Sequence, residues 1–397
     1  MKKDKYTILF LMEYPIDLPG GGQESTKTLC EGLAESGKFE PVVACPDLLS
    51  ASAEDYGFKI VTYHSDENRE RSKLRRIANL IGRMRHFKRI IKEVSPDLIH
   101  VSMSESLITF GLMRIPGYFA GIPFVYTDRG LCFGYRRHSK ACIKATMKRA
   151  SRMITTTEFN ARLWRKETDV PVTVIPNTIS SAFDDYDPDA RSEARKRYGI
   201  SDDETVIGFA GRISEEKDWG RVPEVVKAIA AEGIKFKVAL VMSVYEKQDD
   251  MIAGSVKDGI ISAIGEENLI YMQDLSQREI SAYYYLVDIF MMTSCFESFG
   301  KAAVEAMSRK CVVLSTAVGG LPEVIGNTED LYDTKHPEKA AKRIKQLSEE
   351  PDAMEAEREI FYRRYKDNYT IEKNVSGHIR VYEEILGTLD DKDDGKH

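Results

Sequence analysis

The chain has 397 residues, of which 42% are hydrophobic and 30% charged, and its formal net charge is −6. This length exceeds what one hydrophobic core normally supports, so we expect two domains. The composition excludes extended disorder, and the acidic balance excludes a protein that grips nucleic acid with its whole surface. Along the chain, short apolar runs rich in β-branched residues alternate with helical patterns, which predicts parallel sheets covered by helices on both faces.

This alternation occurs twice, so the predicted fold class is α/β with two Rossmann-like domains. Strands are predicted in the first half at residues 6–12, 41–45, 98–101, 124–127, 153–156 and 172–175. Strands are predicted in the second half at residues 206–209, 237–242, 269–272, 289–292 and 312–315. Residues 176–189 between the halves contain two prolines and four aspartates, and we interpret them as a linker. The polar residues 389–397 are predicted to form a disordered tail.

Six scattered cysteines form no Cys-x-x-Cys pair, so neither a zinc site nor a disulfide framework is predicted. Reduced thiols of this kind are typical of a cytoplasmic protein. The Asp-x-Asp patterns at 185–187 and 187–189 lie in the predicted linker rather than at a strand end, so we expect no metal. No secretory signal is visible, and the most apolar segment, residues 107–126, is interrupted by Arg114 and two prolines.

The strongest candidate site follows the predicted strand at residues 289–292. Glu297 falls beyond the carboxyl end of this strand, where open α/β sheets bind ligands. A helix then begins, and its first amides favour anions. The amides concerned belong to Ser298, Phe299 and Gly300. Glu305 lies farther along this apolar helix, where two ribose hydroxyls would satisfy its carboxylate. The spacing alone leaves open that Glu297 caps the helix and that Glu305 marks its solvated side.

Two further patterns follow predicted strands. Arg212 and Lys217 come after the strand at residues 206–209, where two cations could clamp a diphosphate; a surface turn with an Arg–Glu pair is the alternative. Gly21 and Gly22, in the glycine-rich segment at residues 19–25, permit positive φ and close backbone approach. This segment is a poor dinucleotide fingerprint, and a plain βα turn is the alternative.

Together these motifs resemble the retaining glycosyltransferases of family 4, which have the GT-B fold of two Rossmann-like domains facing a cleft. Glu297 and Glu305 fit the Glu-x7-Glu motif of the family, and Gly211-Arg212 through Lys217 fits its phosphate clamp. The segments at residues 96–100, 175–177 and 321–325 and a final helix near residues 371–386 also fit in order and spacing. The resemblance implies an acceptor domain at residues 1–178 completed by a helix at about 371–388, and a nucleotide-sugar domain at residues 190–370.

The resemblance also implies roles. Arg212 and Lys217 would neutralise the donor diphosphate, Glu305 would bind the ribose, and Glu297 would contact the donor sugar. The amides of residues 298–300 would hold phosphate or sugar oxygens, and Gly21 and Gly22 would let the acceptor domain approach the donor. The family generally works without a bound metal and without a further cofactor. We therefore expect a metal-independent hexosyltransferase-type enzyme, with a UDP-sugar favoured on family frequency.

Three departures from the family pattern are visible. Arg129, in the run 127–130, stands where the family usually has His near the sugar, so Arg129 and the adjacent Asp128 are candidate contacts of a charged sugar or acceptor or of a phosphate. Ser298 replaces a usual Gly, and the run 240–243 lacks the glycines common after that strand. Three alternative functions are left open: a nucleotide-sugar epimerase of the same architecture, a non-catalytic nucleotide-sugar-binding protein, and a dehydrogenase.

The charge is unevenly distributed along the chain. Residues 1–176 contain 28 Lys and Arg against 20 Asp and Glu, whereas residues 177–397 contain 29 against 43. The basic excess lies in two segments, one with Arg69, Arg71, Lys73, Arg75, Arg76, Arg83, Arg85, Lys88, Arg89 and Lys92, and the other with Arg136, Arg137, Lys140, Lys144, Lys148, Arg149 and Arg152. These two basic segments predict that the first domain contacts an anionic membrane or glycan; an ordinary solvated helix face is the alternative. The expected acceptor is a growing polysaccharide or lipid-linked glycan of a bacterial envelope, in the cytoplasm or at the inner face of the plasma membrane, with no nucleic-acid partner.

Overall fold

The computed structural model describes residues 3–50, 56–65, 73–115, 117–183, 185–201, 203–244 and 247–394. The chain divides into a first unit, Met1–Asn177 with Ile371–His397, and a second unit, Thr178–Thr370. Each unit has its own parallel sheet with helices on both faces, so the predicted pair of Rossmann-like domains is confirmed. No described helix has the length and apolar character needed to cross a membrane.

The described part of the first unit contains a seven-stranded parallel sheet. Its strands are β1 Tyr6–Leu11, β2 Phe39–Pro46, β3 Lys59–Tyr63, β4 Leu98–Val101, β5 Phe124–Asp128, β6 Arg152–Thr155 and β7 Val172–Val174, in the order β3-β2-β1-β4-β5-β6-β7. Its helices are α1 Gly21–Glu35, α2 Lys73–Val94, α3 Ser104–Arg114, α4 Arg137–Met147, α5 Glu158–Arg165 and, from the chain end, α14 Ile371–Asp394.

Strand β1 explains why these strands appear as continuous apolar runs rather than as alternating patterns. Ile8 and Phe10 point into a core shared with α1 and α14, whereas Leu9 and Leu11 point into a second core on the opposite face. Both faces of the sheet are covered, so the four consecutive residues Ile8 to Leu11 are all buried.

The described part of the second unit has a six-stranded parallel sheet. Its strands are β8 Thr205–Arg212, β9 Phe236–Ser243, β10 Leu269–Gln273, β11 Ile289–Met292, β12 Val312–Thr316 and β13 Leu331–Tyr332, in the order β10-β9-β8-β11-β12-β13. Its helices are α6 Ala190–Arg197, α7 Val222–Ala230, α8 Lys247–Ile264, α9 Gln277–Leu286, α10 Lys301–Ser308, α11 Leu321–Ile325, α12 Glu338–Glu349 and α13 Pro351–Asn368.

The structure corrects two boundary predictions. The predicted linker at residues 176–189 is partly core, because Ile179 and Phe183 are fully buried among the apolar side chains of the second unit. Helix α14 continues to Asp394, so residues 389–394 are helical rather than part of a disordered tail, and residues 395–397 lie outside the described residues.

Helix α14 closes one face of the first sheet. Val375 packs so closely on Gly32 of α1 that a Cβ atom at Gly32 would lie 2.5 Å from the Val375 Cγ2 atom. The Tyr382 hydroxyl lies 2.5 Å from Nδ1 of His100 on β4, and both side chains are fully buried. The first unit therefore draws part of its core from the last residues of the chain.

Candidate functional site

The loops after β8 and β11 bring two of the predicted site residues together. These strands are neighbours in the second sheet, and their carboxyl ends lie at the same edge. The Lys217 Nζ atom lies 2.8 Å from Oε2 of Glu297, and both side chains are largely buried. The Thr293 hydroxyl donates to the Lys217 carbonyl at 2.8 Å, which fixes one loop on the other. The cation and the carboxylate that the sequence assigned to phosphate and sugar therefore form one ion pair.

Arg212 is the last residue of β8 and projects an exposed side chain. The Trp219 indole donates to the Arg212 carbonyl at 3.0 Å, which anchors the backbone here. Within the described part of the chain, Arg212 forms no ion pair, so the alternative of a surface Arg–Glu pair is not found. This guanidinium is available to an anion at the carboxyl edge of the sheet.

Gly300 begins helix α10 with a positive φ of 94°. A Cβ atom at this position would lie 2.6 Å from Cδ2 of the buried Leu321, so both the backbone and the packing require glycine. Phe299 is buried and its ring packs edge-on against Tyr369 at 5.6 Å, so Phe299 can offer a ligand only its backbone. The backbone of residues 298–300 thus lies at the start of α10, which is where the predicted anion site needs it to be.

Glu305 lies on α10, partly buried, and its Oε2 atom accepts a hydrogen bond of 3.2 Å from the Tyr284 hydroxyl. Burial of Tyr284 on α9, together with the Glu305 charge, raises the pKa of its phenol well above the usual value, so Tyr284 stays a hydrogen-bond donor. Tyr284 was not among the predicted site residues, and the run of three tyrosines at 283–285 was its only signal in the sequence. Tyr284 therefore restrains the Glu305 carboxylate.

The structure corrects the interpretation of the first glycine segment. Helix α1 begins at Gly21, Gly20 before it is extended, and none of Gly20, Gly21 and Gly22 adopts a left-handed conformation. A Cβ atom at Gly22 would lie 3.7 Å from Cε of Met103, an ordinary contact. Gly21 and Gly22 therefore form the first turn of α1 rather than a glycine turn that depends on positive φ.

Asp128 is the last residue of β5 and Arg129 follows it, and the two side chains differ in their hydrogen bonding. The Asp128 carboxylate accepts hydrogen bonds from Trp164 at 2.5 Å, Asn160 at 3.1 Å, Tyr135 at 2.5 Å and the Gly130 amide at 3.1 Å. The Asp128 carboxylate is fully buried and its oxygens are engaged in these hydrogen bonds, so it holds the surrounding backbone in place. The Nε and Nη1 atoms of Arg129 are buried and have no hydrogen-bond partner in the described structure.

Glu13 lies just after β1, at the edge of the sheet where Arg129 follows β5, and the sequence analysis did not select it as a site residue. Its Oε2 atom accepts a hydrogen bond of 2.5 Å from the Ser106 amide. Burial, reinforced by the Glu105 charge, raises the pKa of Glu13 to about 7. The only sequence signal was an acidic residue interrupting an apolar run.

Several cations of the two basic segments are paired with carboxylates. Lys140 and Lys144 both contact Glu167, at 2.6 and 2.9 Å. Arg83 lies 3.3 Å from Glu105. Arg69 and Arg71 lie outside the described residues, as do the side chains of Lys73, Arg75 and Arg76. The pairing lowers the net positive charge of this surface below what the sequence counts suggest.

The same region exposes large apolar side chains. Ile77 and Ile81 of α2 are 54% and 43% exposed, and Ile115 and Tyr118 after α3 are 68% and 44% exposed. Lys88 of α2 lies 3.7 Å from the centre of the Tyr118 ring, so the two segments share one surface. We call these four residues and Lys88 the α2–α3 face. Exposed apolar side chains among cations are typical of a surface that contacts lipid.

Among the described residues, no group of three or more His, Cys, Asp or Glu side chains is arranged to hold a metal ion. In the second unit, the side chains of Arg212 and Lys217 lie where they could contact a phosphate. Their positive charges and the start of α10 lie at the carboxyl edge of the second sheet, which is the usual ligand edge of such folds.

Two family profiles match this chain. The one described as "Glycosyl transferases group 1" matches residues 190–367, and the one described as "Glycosyltransferase Family 4" matches residues 19–183. Together they cover most of both units.

Individual relatives are distant. A 2-deoxystreptamine glucosyltransferase of Streptomyces kanamyceticus is 26% identical over 61% of this chain and 62% of its own length. A Bacillus subtilis protein named for teichuronic acid biosynthesis is 22% identical over 60% of this chain and 58% of its own. The chain thus spans about three fifths of these relatives. Among solved structures, Anabaena HepE in complex with UDP-glucose is 16% identical in sequence to this chain. The two structures have a TM-score of 0.75, and the match covers 96% of this chain and all of the HepE chain.

Proposed function

This chain belongs to glycosyltransferase family 4, and we propose that it is a retaining glycosyltransferase that moves a sugar from a UDP-sugar to a glycan or lipid-linked acceptor in cell-surface polysaccharide synthesis. The observation that carries the proposal is the Lys217–Glu297 pair at the carboxyl edge of the second sheet, beside the start of α10. The UDP-glucose complex of a protein with the same fold supports the choice of donor.

In this proposal the second unit holds the donor. Arg212 and Lys217 neutralise the diphosphate as negative charge grows on it, the task that a metal performs in other enzymes. Glu305, oriented by Tyr284, accepts hydrogen bonds from the ribose hydroxyls. Glu297 accepts hydrogen bonds from the sugar, and without donor it keeps the Lys217 ammonium at the site.

The proposed reaction exchanges one bond at the anomeric carbon. The acceptor oxygen forms a bond to this carbon on the face that the leaving group departs from, and the bond from the carbon to the phosphate oxygen breaks. The acceptor hydroxyl proton passes to the departing phosphate oxygen, so UDP leaves and the anomeric configuration is retained.

The first unit is proposed to hold the acceptor and to rest on anionic lipid. The α2–α3 face supports the lipid contact through its exposed apolar residues and its cation. A relative named for teichuronic acid biosynthesis supports a role in the synthesis of a surface polymer.

A nucleotide screen tests the proposal. We expect UDP and UDP-hexoses to raise the unfolding temperature more than GDP and GDP-mannose, because a ligand stabilises only the state that binds it. Incubation with UDP-hexoses and an extract of lipid-linked glycans should then release UDP. Absence of stabilisation by any nucleotide would contradict the proposal, and sugar interconversion without acceptor would show an epimerase instead.

A further inference from the structure

The Arg129 guanidinium is a buried cation without a partner. Its Nε and Nη1 atoms are shielded from solvent and receive no hydrogen-bond acceptor in the described structure, although the residue as a whole is partly exposed. Burial lowers the pKa of Arg129 to about 10, so it remains charged at neutral pH. A buried charge without a partner destabilises a fold, which makes this arrangement unusual for a purely structural residue.

No neighbour of Arg129 forms a hydrogen bond or ion pair with it in the described structure. The charge of the adjacent Asp128 favours the charged guanidinium, but the Asp128 oxygens accept their four hydrogen bonds from other groups. Cys30, Tyr126 and Tyr382 also face the guanidinium, and burial raises the pKa of all three, so each is uncharged at neutral pH. The charge of Arg129 is therefore left for a group from outside the chain.

Other unpartnered polar atoms lie at the same edge of the first sheet. Ser102 follows β4 and Thr156 follows β6, the strands on either side of β5, and both hydroxyls are buried without partners. Nδ1 of His378 donates to the Asn374 carbonyl at 2.9 Å, which leaves Nε2 as an acceptor without a partner. Burial, with a smaller contribution from the nearby Arg129 charge, lowers the pKa of His378 to about 4. A hydroxyl-bearing anion would satisfy this set of donors and acceptors.

From these contacts we infer that Arg129 binds a carboxylate or phosphate group carried by the acceptor or by the transferred sugar. The planar guanidinium can offer paired N–H groups along its Nε–Nη2 or Nη1–Nη2 edge, and such a pair matches the two oxygens of a carboxylate or phosphate. The donor diphosphate is excluded from this role because Arg212 and Lys217 serve it in the proposed function, on which this inference rests. The chain is thereby specialised for an acidic glycan or a sugar phosphate.

Binding of small probes to the full chain tests the inference. D-glucuronate supplies the carboxylate, D-glucose 6-phosphate the phosphate, and D-glucose is the neutral reference; each is titrated by ligand-observed NMR. UDP, UDP-glucose and UDP-glucuronate are titrated in parallel. Arg129→Met removes the charge and keeps much of the volume, and Arg162→Met, at an exposed arginine of α5, is the matched control.

We expect Arg129→Met to weaken binding of at least one anionic probe tenfold or more, with glucose and UDP within twofold of the original protein. If Arg129→Met weakens binding of the free sugar anions, the anionic group that Arg129 binds belongs to the acceptor. If the variant weakens binding of UDP-glucuronate alone, that group belongs to the transferred sugar. Because an unpaired buried charge is removed, the unfolding temperature should stay equal or rise.

Three outcomes would overturn the inference: anion binding that changes no more than in Arg162→Met, a matching loss of UDP affinity, or a chain that no longer folds. Arg129→Lys supplies a second check, because it keeps one charge without the paired N–H groups and should recover part of the lost affinity. If UDP fails to bind the original protein, the proposed function fails, whereas the free sugar anions still test Arg129.

Discussion

The Nζ atom of Lys217 lies 2.8 Å from Oε2 of Glu297, across two loops that leave adjacent strands of the second sheet. The ammonium is thus held at the site before any ligand binds. Because both side chains are largely buried, the pair is screened less by water and salt than a surface ion pair. A phosphate that approaches can take over the ammonium without a large rearrangement.

Replacement of Lys217 should remove most of the proposed transferase activity. We expect Lys217→Ala to lower kcat by about 10²–10³-fold, the loss typical when one group that stabilises developing negative charge is removed. UDP release measures the effect. Lys235→Ala, at an exposed lysine of the same unit, is the control and should keep full activity. Full turnover in Lys217→Ala would remove this lysine from the mechanism.

Glu305 should govern nucleotide affinity. Glu305→Gln loses charge-assisted hydrogen bonds worth about 1.5–3 kcal/mol, so UDP should bind about 10–100-fold more weakly. Tyr284→Phe removes only the group that orients the carboxylate and should have a smaller effect in the same direction. Calorimetric titration of UDP measures both, with Glu224→Gln on α7 as control. An unchanged affinity in Glu305→Gln would mean that the ribose binds elsewhere.

Glu13 should make stability fall with rising pH. Its pKa is about 7 in the folded chain against 4.5 normally, so the folded state holds more protons between these values and loses stability as pH rises through them. Glu13→Gln should therefore be more stable than the original protein at pH 8, by at most about 3 kcal/mol, with little difference at pH 4.5. Urea unfolding at both pH values measures this, and Glu40→Gln, at an exposed position, is the control. An equal effect of Glu13→Gln at both pH values would contradict the prediction.

Gly300 should resist substitution. Gly300→Ala forces a side chain into a positive φ and against Leu321, so we expect a loss of about 1–3 kcal/mol of unfolding free energy. Gly254 lies within helix α8 with open space around it, so Gly254→Ala should instead stabilise by about 0.5–1 kcal/mol. Thermal unfolding compares the two, and equal changes would rule out this explanation of Gly300.

The α2–α3 face should bind anionic lipid. Each cation near such a surface contributes about 1 kcal/mol, and the exposed isoleucines add apolar contact. We expect co-sedimentation with vesicles that contain phosphatidylglycerol but not with purely phosphatidylcholine vesicles, weakened by salt. The double variant Ile77→Ser with Ile115→Ser should reduce binding, whereas Ile360→Ser, an equally exposed residue of α13, should not. Equal binding to both vesicle types would remove the proposed lipid contact.

The strands were predictable because both faces of each sheet are buried, which leaves unbroken apolar runs such as residues 289–292. Strand β3, Lys59–Tyr63, was missed because it lies at the sheet edge and buries only one side chain fully. Strands at the edge of a sheet contact solvent, so their sequences show a weaker apolar pattern. The same limitation affected residues 178–183, where a polar composition hid the two buried side chains Ile179 and Phe183.

The sequence predicted the position of some candidate residues relative to the strands but not the contacts between them. Spacing placed Glu297 and Lys217 after two strands, but that they form one ion pair depends on the order of strands in the sheet. The glycines near Gly21 permitted a positive φ, but helix α1 begins there, and Gly300 is the candidate site residue with a positive φ. Glu13 and Tyr284 were missed because their environments are created by tertiary packing.

Helix α14 has a consequence for the order in which the chain folds during synthesis. The second unit is continuous in sequence, so all of its residues leave the ribosome before the first unit is complete. Until residues 371–394 emerge, Gly32 lacks its contact with Val375 and His100 lacks the hydroxyl of Tyr382. One face of the first sheet therefore stays open in the nascent chain until residues 371–394 are translated, and a premature stop near residue 370 would leave that face uncovered.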